Sequence, residues 1–88
     1  MSTHTGKLVA DNGTYIINDT TAWTGVCQGV YVLSDTVFSV LGDANGNDKA
    51  DYISAVGTAV KAGALISPKG AGTFTSVTLT SGQVALIL

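Results

Sequence analysis

The sequence predicts an all-β fold, a small antiparallel sandwich or barrel closed by a C-terminal hairpin. Three observations carry this. β-Branched and aromatic residues gather in short runs, and glycine- or asparagine-rich turns separate those runs about every 8–12 residues. The chain then ends on Phe74-Thr-Ser-Val-Thr-Leu-Thr-Ser-Gly82-Gln-Val-Ala-Leu-Ile-Leu88, an alternating arm and a wholly apolar run on either side of Ser81-Gly82.

The elements follow in order. Residues 1–7 are small and polar and read as a flexible N-terminal arm; residues 8–88 form a single β domain. Leu8-Val9-Ala10, the turn signal Asn12-Gly13 and Thr14-Tyr15-Ile16-Ile17 predict a first hairpin. Ala22-Trp23-Thr24 opens another strand after the loop Asn18 to Thr21. Gly29 to Leu41 is the longest strand signal, interrupted at Ser34-Asp35-Thr36 by a bend or bulge. Val30, Val32, Phe38 and Val40 share one parity, and Tyr31, Leu33, Val37 and Leu41 share the other. Both faces therefore carry large apolar groups, as in a strand between two layers or at a subunit contact.

Gly42 to Asp51 reads as a polar loop. Asp51 to Ala62 carries two signals. Ile53, Val56 and Val60 have helical spacing, with Asp51 as a cap and Gly63 as a stop. Gly57 and the Thr, Val and Ile content oppose a helix, so extended structure is expected. Leu65-Ile66 is a short strand before the loop Ser67 to Gly72. In the final hairpin, a two-residue turn at Ser81-Gly82 places Leu79 opposite Val84 and Val77 opposite Leu86. The run Val84 to Leu88 has no polar residue and needs cover on both faces, from a core, from neighbouring subunits, or from both.

Composition narrows the function. An 88-residue domain has a small core, and such domains often add a disulfide, a metal or oligomerisation. Cys27 is the single cysteine and no Cys/His cluster exists, which leaves oligomerisation. Charged residues are 11% of the chain, against about 25% in typical domains, and none is Arg or Glu. A surface so poor in charge belongs in contacts. The net charge of −2 and four scattered lysines (Lys7, Lys49, Lys61, Lys69) speak against nucleic acid. No apolar run reaches membrane length, and the start Met1-Ser-Thr-His-Thr-Gly-Lys7 does not read as a signal peptide. Synthesis in a cytoplasm is expected, and a lone cysteine fits a reducing compartment.

Candidate chemistry is sparse, and no cofactor is expected. Asp43, Asn45, Asn47 and Asp51 place oxygen ligands at alternate positions like the start of a calcium loop. Asp48 stands where the sharp-turn glycine belongs and Ser54 replaces the bidentate glutamate, so a self-capped turn is the preferred reading and these four are a weak calcium candidate. His4 lies in the arm, with no triad around it. Cys27, beside no cation, reads as a small buried hydrophobe and not as a nucleophile. No catalytic residue is assigned and no enzyme is expected. Trp23, Tyr15, Tyr31 and Tyr52 are either a sugar-stacking platform or, preferably, core and interface anchors.

Three stretches carry a resemblance: Val30-Tyr-Val-Leu-Ser-Asp-Thr-Val-Phe38, Val60-Lys-Ala-Gly-Ala-Leu-Ile66, and Gly72 through Leu86 with its phrase Phe-Thr-Ser-Val-Thr-Leu-Thr-Ser-Gly82. Together they resemble small structural virion proteins of tailed bacteriophages, over a third to a half of the chain. The Ala-Leu-Ile-Leu end and the Asn/Asp loop depart from that pattern. The resemblance implies a β-rich capsid decoration (cement) protein, located in the virion. Such a protein forms a homotrimer and clamps the major capsid protein of the shell. Val77, Leu79, Val84, Leu86 and Leu88 are the expected oligomer contact. The alternative is a host-glycan-binding head-fibre or tail-tip module.

Overall fold

The computed structural model describes residues 12–70 and 72–88. The arm 1–7, His4 and the first hairpin's opening strand Leu8-Val9-Ala10 lie outside the described residues. The elements are β1 (Thr14–Ile17), β2 (Trp23–Cys27), β3 (Gly29–Asp43), α1 (Lys49–Tyr52), β4 (Leu65–Ile66) and β5 (Phe74–Ile87). The fold is all-β. Of the expected architectures the barrel is not formed: the five strands make one antiparallel sheet that does not close.

The C-terminal hairpin is also not formed. Ser81 and Gly82 do not turn the chain; they lie inside one continuous strand, β5. β5 pairs along its length with β3, so Leu79 faces Phe38, Val77 faces Leu41, Val84 faces Val32 and Leu86 faces Val30. On its other edge β1 pairs with residues 84–87 and β2 with residues 74–77. β5 is thus a central strand, paired on both edges near its two ends and by β3 alone over residues 78–83. That explains its apolar end better than a hairpin arm does. β3, at 15 residues, is long enough to match all 14 of β5.

The parity change that suggested a turn is made by bulges. The β3–β5 register shifts between Val32 and Ser34, between Ser34 and Val37, and twice more before Val40. Each extra residue moves the following side chains to the opposite face. Leu79 and Val84 have opposite parity, yet both reach the same core. In β3 the expected bulge at Ser34-Asp35-Thr36 is present. A further shift past Phe38 puts Leu41 inside and Val40 outside, reversing the parity expected for those two.

Gly82 is the pivot of this joint. Its φ is +98°, and a Cβ there would lie 2.2 Å from Thr36 Oγ1 and 2.6 Å from the Asp35 carbonyl oxygen. Only glycine lets the two long strands approach so closely. The fully buried Thr36 hydroxyl donates to Ser34 O (2.7 Å) and accepts from Gln83 N (3.1 Å), filling the ladder gap that the bulges open.

Residues 51–62 are not extended. Asp48, not Asp51, caps α1: its carboxylate accepts from Ala50 N (3.0 Å), and Asp51 reaches back to accept from Asp48 N (2.8 Å). Asp51 is therefore inside the first turn. Ile53 leaves helical geometry, and turns follow, with Gly57 at φ +96°. One β contact ends the segment, where Val60 and Thr36 exchange backbone bonds of 2.7 and 2.9 Å. The cap starts a helix, but Ser54, Gly57 and Thr58 do not sustain it.

Candidate functional site

Strand pairing fixes which side chains share a face, because partners across a ladder point the same way. Val30, Val32, Val84, Leu86 and Ile17 face the core together with Val77, Leu79, Phe38, Leu41, Phe74 and Cys27. Alternate residues of β1, β3 and β5 face outward. There the register forms a row across four strands: Ile16 beside Ala85, Ala85 beside Tyr31, and Tyr31 beside Leu65. Ile16 is 46% exposed and Leu65 49%, while Tyr31 is half-buried between them. The next row is Thr14, Ile87 and Gly29. Gly29 has no side chain, so Ile87 Cγ1 and Leu65 Cδ1 close over its position, each within 3.9 Å of where a Cβ would stand. Leu33, 41% exposed, follows where the bulged stretch begins. None of these residues is charged.

The residues expected to make the oligomer contact do not lie on this outward face. Val77, Leu79, Val84 and Leu86 are at most 1% exposed within a single chain, because they are the core itself. Their apolar character is accounted for without a partner, and none is free to make an oligomer contact. Leu88 is half-buried against the same core, its backbone N–H bonded to Gly13 O (2.9 Å) and its carbonyl to Gln28 Nε2 (3.1 Å). Ile16 and Leu65 were not singled out from the sequence. The signal that points to them is the second apolar parity of β3, Tyr31 and Leu33, whose neighbours only the register reveals.

The calcium candidate folds into a different device. Asp43 is 7% exposed and its oxygens are filled by donors. Oδ1 accepts from Asn45 N (2.9 Å) and Asn47 N (2.8 Å), and Oδ2 accepts from Asn47 Nδ2 (2.8 Å) and the Tyr52 hydroxyl. The Tyr52 bond above all, helped by the Asn47 and Asn45 bonds, pulls the Asp43 carboxyl down to about 2 against the opposing effect of desolvation. Asn47 turns its amide N–H to Asp43, and Asp51 turns an oxygen to Asp48 N. A cation at Asp43 would have to displace these donors, so Asp43, Asn45 and Asn47 form a clamp and not a coordination sphere, while Asp51 serves the α1 cap. Tyr52 completes it. Its oxygen accepts from Lys69 N (2.9 Å), its ring meets Phe74 edge-on at 5.0 Å, and Lys69 Nζ lies 5.2 Å from its centroid. The clamp ties the 43–47 turn, α1 and the loop before β5 together.

Cys27 is fully buried, and burial pushes its thiol up to about 11, as suits a core hydrophobe. The four aromatics do not share a platform. Tyr52 belongs to the clamp and Tyr31 to the outward face. Tyr15 and Trp23 pair with Leu86 and Val77, on the core side of the sheet edge. No family model, curated protein or solved structure matches this chain.

Proposed function

We propose that the chain is a non-enzymatic structural protein of a tailed-phage virion, a capsid decoration or cement protein that assembles as a trimer and binds the major capsid protein of the shell. The observation that carries the reading is the outward face. Ile16, Tyr31, Leu33 and Leu65 make an uncharged apolar row on a chain with only 11% charged residues. Patches of this kind mark protein contacts. The three stretches of the resemblance also fall together: Val30 to Phe38 lies in β3, flanked by Gly72 to Leu86 in β5 and by Val60 to Ile66 on its other edge.

The mechanism is passive. Each copy buries this face against siblings or shell. Because it binds the assembled lattice and not its dissociated subunits, it stabilises the lattice by mass action. The test is co-sedimentation with empty shells of the major capsid protein encoded in the same genome. Saturable binding that raises the shell's melting temperature supports the reading. A protein that stays in the supernatant at all concentrations refutes it.

A further inference from the structure

β1 and β2 lie end to end along one edge of β5, and the link Asn18 to Ala22 spans the notch between them. A cavity of about 150 Å³ opens there, lined by Tyr15, Asn18, Asp19, Thr21 and Trp23 among others. Tyr15 is 52% exposed although its ladder partner Leu86 is buried, so its ring stands at the rim on the core side of the sheet edge. Trp23 is half-buried against the core, which fixes its ring. Asp19 is held by a bond from Thr21 N to its Oδ1 (3.0 Å), and among the described residues no donor is bonded to its Oδ2. The pocket therefore joins two aromatic groups to an amide, a hydroxyl and a carboxylate with one oxygen to spare.

We propose that this notch binds one neutral sugar ring. The chemistry selects that class. Aromatic faces take up the C–H face of a ring, and Asn18, Asp19 and Thr21 offer donors and acceptors to hydroxyl groups. Among the described residues no cation lines the pocket, and the Asp19 carboxylate stands there, which disfavours phosphates, nucleotides and acidic sugars. One carboxylate is too little for a metal ion. The volume admits a single ring and not an oligosaccharide, so the affinity is millimolar. Ile16 of the assembly row also lines the notch, but Tyr15, Asp19 and Trp23 lie outside that row, so variants at Tyr15 and Asp19 test the sugar site separately from the decoration reading.

Trp23 is the only tryptophan, so its fluorescence reports on the site. The experiment titrates the full chain with glucose, galactose, mannose, rhamnose and N-acetylglucosamine to about 100 mM each, a range that covers millimolar binding. It reads Trp23 emission and backbone amide shifts. The proposal expects saturable changes confined to residues 15–23 with at least one sugar, lost in Asp19→Ala and in Tyr15→Ala. Both variants change exposed side chains and keep the native melting temperature within a few degrees. The proposal fails if no sugar produces a saturable change. It fails equally if the changes spread over the surface or survive in both folded variants.

Discussion

Replacing Gly82 with alanine separates the bulged joint seen here from an ordinary turn. A Cβ at Gly82 lies 2.2 Å from Thr36 Oγ1, 2.6 Å from Asp35 O and 2.6 Å from Thr36 Cα, two of these being backbone atoms. The strands must move apart. That movement breaks the bond from Gln83 N to Thr36 Oγ1. Left-handed backbone adds about 1 kcal/mol for alanine, and the lost bond adds about 1–2 kcal/mol, a total of about 2–3 kcal/mol. For a domain of this size that lowers the melting temperature by roughly 8–24 °C. Gly46→Ala is the control. Its φ is +87° and nothing lies within 4 Å of the added Cβ, so only the backbone cost of about 1 kcal/mol applies. The assay is urea unfolding followed by Trp23 fluorescence. Equal costs for the two variants would refute the close approach and restore a solvent-exposed turn at Ser81-Gly82.

Other consequences are simpler to measure. Thr36→Val keeps the side-chain shape and removes the bridging hydroxyl, so it costs about 1–2 kcal/mol by the same unfolding assay. The Asp43 carboxyl titrates near 2 when folded and near its ordinary 3.8 when unfolded, so its contribution is complete above pH 4 and is lost as pH falls through 2. Asp43→Asn removes that acid limb from the stability profile, while the wild type loses stability across the same range. Cys27, buried and raised to about 11, reacts with an aromatic disulfide reagent at pH 7 only at the rate of unfolding. A fast reaction in folded protein would contradict its burial.

What the sequence discloses about this fold divides along a physical line. Thr14 to Ile17, the run from Gly29, Leu65-Ile66 and the bulge at Ser34 to Thr36 were legible because each rests on local composition. The pairing partners were not. Ser81-Gly82 between apolar arms satisfies both a hairpin turn and a bulge in a long strand. The choice between them depends on β3, some fifty residues earlier, supplying a ladder of matching length. The helix start was hidden in a similar way: Asp51 reads as the cap, and only the bonds show that Asp48 fills that place with Asp51 in the first turn. Of the candidate site, the second apolar face of β3 was visible as Tyr31 and Leu33. Ile16 and Leu65 join it only through register. The terminal residues chosen for the contact were apolar for a nearer reason, since they fill the core.

Light scattering after size exclusion, on the wild type, Leu65→Asp and Leu86→Asp, tests whether the outward row Ile16, Tyr31, Leu65 joins copies of this chain. Leu65 is 49% exposed, so its variant keeps the fold; Leu86 is fully buried, so its variant unfolds. A wild-type trimer and a folded monomer for Leu65→Asp are the expected results. A wild-type monomer, or a Leu65→Asp trimer as stable as the wild type, would contradict that contact.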